Sequence, residues 1–474
     1  MVPVVTPAEM RAIDAAAPEP VDELIRRAGA AVARAAIDLL GGTYGRTVNV
    51  VVGSGNNGAD GRDAAERLRR RGIRVRVIEA VICPPVLPAA DLVIDAAYGT
   101  GYRHDPSRPW HGPDVAGALV LAVDIPSGID GVTGARADTG RVVRADRTIT
   151  FQALKPGLLF ADGPACSGEV IVADIGLDTS HVSCHLVDAG DVARWWPRRD
   201  TDAHKWHAAV KVIAGSKSMP GAAELCTAAA LRGGSGLVSL SAPGCAPRTR
   251  SEVVQHGIGT ADFADEALAD IDRFGALVIG PGLGRDDETM RAACECIRDA
   301  TVPTLVDGDA IHAASQNAGG AGPLLRTRHR TTVVTPHDGE FGNLTGQRPG
   351  ADRIASCRAA AAEFDSHILL KGPTTVIAAP PSATPDPDPE RARDSNDRAP
   401  VLIVDRGDER LATAGSGDVL AGLLGAALAA GIEPLHACAA AAFIHAAAAD
   451  LGPAVGLVAG DIVDLLPAAI AALR

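Results

Sequence analysis

Apolar residues along the chain fall into two patterns that alternate: short unbroken runs, and longer stretches in which they recur at helical spacing. Helical spacing predicts helices over Thr6–Asp14 and Val21–Leu40. The run Thr47–Val52 reads as a buried strand that enters a glycine loop, and Ala64–Arg71 as the helix beyond it. Further strands are expected at Arg74–Ile78, Leu92–Asp95, Leu119–Asp124, Arg147–Phe151 and Val170–Ala173. Short apolar strands alternating with helices imply a parallel sheet covered on both faces.

The pattern lapses near Trp195–Asp202 and then restarts. Strands are predicted at Val210–Ala214, Leu237–Ser241, Ala276–Ile279, Val302–Val306, Thr332–Val334 and His367–Leu370, and helices at Gly417–Ala430 and Leu435–Leu451. Two α/β domains follow, a Rossmann-like three-layer domain over residues 1–195 and a second over 204–474. Ala379–Pro400 holds six prolines and many charges, which predicts a flexible hairpin insertion without assigned function. No internal repeat is visible.

A length of 474 residues exceeds what one core ordinarily organises, which agrees with two domains. Aromatics are only 3%, so the cores must be built from Val, Leu, Ile and Ala. The net charge of -13 argues against nucleic acid as a general partner, although glycine loops can still hold phosphates locally. The N-terminus lacks a basic start and a long apolar stretch, and the Ala437–Leu451 run is too short to span a membrane. A cytoplasmic protein with reduced thiols is expected, because the nine cysteines are scattered and Cys294-x-Cys296 has no matching pair for a zinc site. Lysine occurs only at positions 155, 205, 211, 217 and 371, so each one is informative.

In the first half, the loop Gly53-Ser-Gly-Asn-Asn-Gly-Ala-Asp-Gly61 follows a strand and opens a helix. Its glycines permit close ligand approach, and free amides at a helix start favour an anion. Two further loops, Asp95–Gly101 and Asp124–Gly128, also follow strands, and the three should converge at the carboxyl edge of the sheet. Oxygen ligands from Asn57, Asp95 and Ser127 would suit a monovalent or divalent cation. The segments GSGNNGADG, VIDAAYGTG, VDIPSG and TFQALKPG make roughly residues 6 to 190 resemble the NAD(P)H-hydrate epimerase family. That resemblance implies a substrate loop at Asn56, Asn57, Gly58, Ala59 and Asp60, and a second at Gly99, Thr100, Gly101, Tyr102, Arg103, His104 and Asp105. It implies Asp124 on the substrate and a potassium ion at Asn57, Asp95 and Ser127. Asp124 and Lys155 are the expected proton-transfer groups, since inversion at C6 of the hydrated nicotinamide ring needs acid–base help. Ala59 stands where the family usually has Gly, and Ile25-Arg26-Arg27 replaces an expected acidic residue.

In the second half, Leu411-Ala-Thr-Ala-Gly-Ser-Gly-Asp-Val-Leu420 leads into a helix that is apolar on all faces. Amides of Gly415 to Gly417 at a buried helix start would form an anion hole for a transferring phosphoryl group, with Asp418 placed as a base. The GSGD motif resembles the ribokinase-like superfamily. With AGSKSMPGAA, GPGLG, TPHDGE and KGPTT, nearly all of residues 204 to 474 is similar to the ADP-dependent NAD(P)H-hydrate dehydratases. The resemblance implies that Ala222 or Ala223, Gly284, His337 and Asp418 contact the hydrate. It implies that Lys371, Gly372, Pro373, Thr374, Thr375 and Gly417 hold the adenine nucleotide. Lys371 ends an apolar strand, where an unpaired ammonium would be expensive, so a phosphate partner is expected.

The implied chemistry is repair of hydrated NADH and NADPH. The first half would equilibrate the R and S hydrates with K+. The second would dehydrate the S form at the expense of ADP or ATP with Mg2+, Asp418 taking the C6 hydroxyl proton. The alternative is a ribokinase-like small-molecule kinase with a regulatory Rossmann-like domain, and a third reading is a non-catalytic scaffold. Small-molecule substrates and a homo-oligomer are expected.

Overall fold

β-Branched residues dominate the strands that organise the first half, and in Thr47–Val52 every residue after the first is buried. The structure is a computed structural model that describes residues 1–102, 110–136, 141–199, 201–381 and 399–474. The chain divides into two compact units, Val2–Cys184 and His185–Arg474. The division lies earlier than the lapse in patterning near Trp195, because Val187, Val192 and Trp196 are buried in the core of the second unit.

The first unit contains α1 (Pro7–Ala16), α2 (Val21–Leu40), β1 (Thr47–Val52), α3 (Asn56–Arg70), β2 (Arg74–Glu79), β3 (Leu92–Ala96), β4 (Leu119–Val123), β5 (Arg147–Phe151) and β6 (Glu169–Ala173). The strands are ordered β2-β1-β3-β4-β5-β6 and all pair in parallel. The chain steps from β1 to one neighbour and then to the other, so β1 and β3 flank a switch point, where ligand crevices of such sheets lie. Thr6 starts α1 with a capping box to Glu9. The first turns of α3 are Asn56–Asp60, eight residues ahead of the helix start expected from patterning. Packing decides this. A Cβ on Gly53 would lie 1.9 Å from the Ala97 carbonyl oxygen, and one on Gly58 2.0 Å from that of Gly53. Only glycine permits this approach, and that outweighs its poor helix propensity.

The second unit contains β7 (Ala209–Ile213), α4 (Pro220–Arg232), β8 (Leu237–Pro243), β9 (Val253–Ile258), β10 (Ala276–Ile279), β11 (Thr304–Val306), α5 (Asp309–Gln316), β12 (Thr332–Val334), α6 (Asp338–Thr345), α7 (Arg353–Phe364), β13 (His367–Leu370), β14 (Thr375–Ala378), β15 (Val401–Val404), α8 (Ser416–Ala429), α9 (Pro434–Asp450) and α10 (Ala459–Ala471). These strands run in the order β15-β14-β13-β12-β11-β10-β7-β8-β9. Pairing is parallel except at β13-β14-β15, which form antiparallel hairpins. Three strands were not foreseen. β9 has an exposed, polar middle, and β14 and β15 are short runs separated by the proline-rich stretch. That stretch connects two antiparallel strands; residues 382–398 lie outside the described residues. Helix α8 is buried from Val419 to Ala429, as its uniformly apolar surface implied.

Candidate active sites

A cleft of about 400 Å³ opens at the carboxyl edge of the first sheet, lined by the loops after β1, β3 and β4 together with α1 and α2. At its base the Lys155 ammonium lies 3.0 Å from Asp124 Oδ1, and the lysine side chain is only 1% exposed. Lys155 also donates to Thr150 Oγ1 at 2.9 Å and to the carbonyls of Phe151 and Ala153 at 3.0 and 3.1 Å. The Thr100 amide donates to Asp124 Oδ2 at 3.2 Å. Burial would raise the Asp124 carboxyl, but the Lys155 charge and the bonds from Lys155, Thr100 and Thr150 outweigh it, so it sits below its ordinary value. Asp124 adopts φ 68°, a left-handed conformation that aspartate tolerates better than bulkier residues.

Asp60, buried on the first turns of α3, behaves oppositely. Burial first, then the charges of Asp124, Asp63 and Asp14, push its carboxyl up to about 8. The cleft therefore pairs a carboxylic acid with a carboxylate at neutral pH, an arrangement suited to opposite proton transfers. A stability consequence follows. The folded state keeps a proton that the unfolded chain releases near 3.8, so stability is lost as pH rises from about 4 to about 8. Asp60→Asn should raise the Tm of the first unit progressively over that range and level off above it. A Tm difference independent of pH would contradict this placement.

Asp95, Ser127 and Asn57 lie beside the cleft. Ser127 Oγ donates to Asp95 Oδ1 at 2.6 Å, and the Ser127 amide donates to Oδ2 at 3.0 Å. Burial raises the Asp95 carboxyl, against the lowering effect of these bonds. Both polar atoms of the Asn57 amide are buried without a hydrogen-bond partner among the described residues. A Cβ on Gly99 would fall 2.9 Å from Asp124 Oδ2 and 3.3 Å from Asn57 Oδ1, so the loop after β3 meets both residues. Arg103, His104 and Asp105 lie outside the described residues. The Ile25-Arg26-Arg27 departure leaves α2 intact. Arg27 pairs with Glu19 and Glu23 and donates to the Ile175 carbonyl at 2.8 Å.

In the second unit Asp307 after β11, Glu340 after β12 and Lys371 after β13 gather around the start of α8. Gly415 caps this helix with φ 89° and no side-chain cap; the Ser416 amide donates to the Thr413 carbonyl at 3.3 Å, which leaves those of Gly417 and Asp418 for an anion. The Lys371 ammonium is 3.5 Å from where a Gly417 Cβ would sit. Asp418, one residue on, is pushed up to about 7, by burial first and then by Asp307, with Asp309 and Glu340 adding and Lys371 opposing. Lys371, for which a phosphate partner was expected, has a carboxylate partner within the chain: it lies 2.6 Å from Asp307 Oδ1. That carboxylate also accepts from Thr335 Oγ1 at 2.7 Å. The pair exists because β11 and β13 both end here, although 64 residues separate its members.

The remaining expected residues take distinct places. Gly284 (φ 88°) donates its amide to Asp309 Oδ2 at 2.9 Å, and Arg285 holds the other oxygen of that carboxylate at 2.8 Å. Ala223 is fully buried, with its methyl 2.9 Å from where a Gly215 Cβ would lie, whereas Ala222 is partly exposed beside Gly282. His337 caps α6: Nδ1 accepts from the amides of Gly339 and Glu340, and the side chain remains 62% exposed. Gly372 and Pro373 are exposed, Thr374 is buried, and Thr375 donates to the Gly372 carbonyl at 3.5 Å. Arg353 braces this turn through the Lys371 carbonyl at 3.0 Å and pairs with Asp338. Sequence reasoning missed Asp307, Asp309, Glu340 and Arg353. Asp307-Gly-Asp309 after an apolar run was the one visible signal.

Fold and sites together define an α/β enzyme with a Rossmann-like unit and a ribokinase-like unit, each with its own buried carboxylate cluster. Residues 210–467 match the family described as NAD(P)H-hydrate dehydratase, and residues 21–88 and 81–157 match that of the YjeF-related protein N-terminus. The bifunctional NAD(P)H-hydrate repair enzyme Nnr of Mycobacterium tuberculosis is 39% identical over 426 residues, covering 84% of this chain and 82% of that one. The Escherichia coli enzyme of the same name is 31% identical, with coverage of 85% and 80%. A solved Streptococcus mutans structure, 19% identical with a TM-score of 0.50, covers 61% of this chain and 99% of that one and shares the fold alone. The chain belongs to the family of bifunctional NAD(P)H-hydrate repair enzymes, combining an epimerase with a dehydratase.

Proposed function

We propose that the first unit equilibrates the R and S C6 epimers of NADH and NADPH hydrate at the Asp124–Lys155 pair, and that the second dehydrates the S epimer with ADP or ATP. The observation that carries the second assignment is Asp418 at the uncapped start of α8, beside the Lys371 ammonium. Asp418 accepts the proton of the C6 hydroxyl, and that oxygen bonds to the terminal phosphorus of the nucleotide as the phosphoanhydride bond breaks. The amides of α8 and Lys371 take up the charge on the moving phosphoryl group. Breakage of the C6–O bond then releases phosphate, assisted by the ring nitrogen lone pair, and loss of a proton from C5 restores the dihydronicotinamide. A hydroxyl is a poor leaving group at neutral pH, which is why a nucleotide is consumed. Mg2+ accompanies the nucleotide; such ions are held chiefly by phosphate oxygens and water, with one or two carboxylates. Of this unit's cluster, Asp307 and Glu340 fit that need.

In the first unit, Asn57 to Asp60 and the loop from Gly99 hold the hydrate, with Asp124 and Lys155 exchanging protons with it. The orphaned Asn57 oxygen and the buried Asp95 and Ser127 oxygens are the hard donors a monovalent cation needs, and these three residues would hold K+. The ion would supply fixed positive charge near the substrate loop. Nine free cysteines support a reducing, cytoplasmic location, and the exposed Val81, Ile82 and Val86 support self-association into a homo-oligomer.

The test is phosphorus accounting on the S hydrate of NADH with ADP and Mg2+, read by 31P NMR. One AMP and one phosphate per NADH formed is the expected result. A stable phosphorylated product without NADH would move the second unit to the small-molecule kinase reading.

A further inference from the structure

A second large cavity, about 610 Å³, lies on the second unit away from the catalytic carboxylates. Among the described residues its lining carries Arg198, Arg199, Lys205, Arg232 and Arg474, together with the imidazoles of His204 and His207, and no acidic side chain. This runs against the chain as a whole, in which 58 acidic residues outnumber 45 basic ones and lysine is rare. The floor is made of small apolar groups, among them Ala426, Ala427, Ala430 and Ile432. The cavity lies at the amino ends of β7 and β8, opposite the catalytic edge. Helix α8 spans the two: Gly417 and Asp418 stand at its start and Ala429 at its end, about 20 Å apart at 1.5 Å per residue.

Two local duties explain part of this charge. Arg199 donates to the carbonyls of Gly234 and Ser235 at 2.8 and 3.1 Å, and Arg474 to that of Pro197 at 3.3 Å. Arg232 lies 3.7 Å from Asp464, which Arg250 already holds at 2.7 Å. Helices α4, α8 and α10 also end here, and each carboxyl end carries roughly half a negative charge. Those ends, Asp464 and the Arg474 α-carboxylate amount to about three and a half negative charges against five full cations. Arg198 and Lys205 have no carboxylate within 4.0 Å among the described residues, and both are exposed. Cations left over around a concave, alanine-floored cavity are what an amphiphilic anion requires.

We propose that this cavity is a second anion-binding site, distinct from the dehydratase centre, that takes the phosphate groups of a small oligophosphate or nucleotide. Arg198 and Lys205 are its free phosphate ligands, Arg199 and Arg232 shape its rim, and the alanine floor receives whatever organic group the phosphates carry.

Isothermal titration of the full chain with inorganic tripolyphosphate, and in parallel with ATP, tests this against Arg198→Ala/Lys205→Ala. The wild type should bind one more equivalent per chain than the double variant. The affinity lost should be on the order of 100-fold, about tenfold per cation. Dehydratase turnover and Tm should be unchanged in the variant. Lys205→Glu, with an unchanged far-ultraviolet spectrum, should remove the same equivalent. A nucleotide ligand is identified if the lost ATP site is tighter than the lost tripolyphosphate site, and a free oligophosphate if the two are equal. Identical stoichiometry and affinity in wild type and both variants overturn the proposal.

Discussion

Asp418→Asn should lower dehydratase turnover by about 100- to 10,000-fold while leaving nucleotide affinity nearly intact. The substitution keeps the shape at the start of α8 and removes only the capacity to accept a proton. Burial and the neighbouring Asp307, Asp309 and Glu340 hold the Asp418 carboxyl up at about 7 despite Lys371. The base form therefore appears within the working range. In the free enzyme, kcat/KM for the S hydrate should rise with pH through about 7 and flatten above it, and the residual rate of Asp418→Asn should lack that rise. The same shift carries a stability sign. The folded protein retains a proton the unfolded chain has lost, so stability falls as pH rises from about 4 to about 7, and Asp418→Asn should melt higher above that range. A variant that is both inactive and less stable at pH 8 would mark Asp418 as structural.

The second large effect is at the Asp124–Lys155 pair. Asp124→Asn or Lys155→Met should each abolish epimerisation and also lower the Tm of the first unit. Removing one member of a buried pair costs about 3–5 kcal/mol, because the other charge stays buried without its partner. Lys155 is fully enclosed, so the penalty applies to it with little relief from solvent. Asn suits the left-handed backbone at 124, which keeps strain out of the comparison. The double variant, carrying neither charge, should recover much of the Tm and none of the activity. If the double variant recovered epimerisation as well, the pair would be structural and proton transfer would lie elsewhere, Asp60 being the nearest candidate.

Much of the fold was legible because buried parallel strands and a fully apolar helix leave strong local patterns. Thr47–Val52 and the α8 run announce themselves without any partner in view. What failed to show depended on contacts between distant segments. The glycine loop after β1 turns helical at once because the Gly53 and Ala97 carbonyls crowd Gly58 and Gly53, which no local pattern encodes. The polar strand β9 is an edge strand held by pairing to β8 and not by its own hydrophobicity. The site motifs were readable as glycine loops and acidic positions. Their electrostatics were not, since Lys371 finds Asp307 only where β11 and β13 end together, and Asp60 is kept protonated by burial first and then by Asp124, Asp63 and Asp14.

Absorbance at 340 nm on a mixture of R and S NADH hydrates, with the full chain, ADP and Mg2+, tests the central claim most directly. Complete conversion of both epimers to NADH is the expected result, and it requires both sites to act in sequence. Recovery of the S fraction alone would contradict the epimerase assignment at Asp124 and Lys155, and no recovery with either ADP or ATP would contradict the account of Asp418.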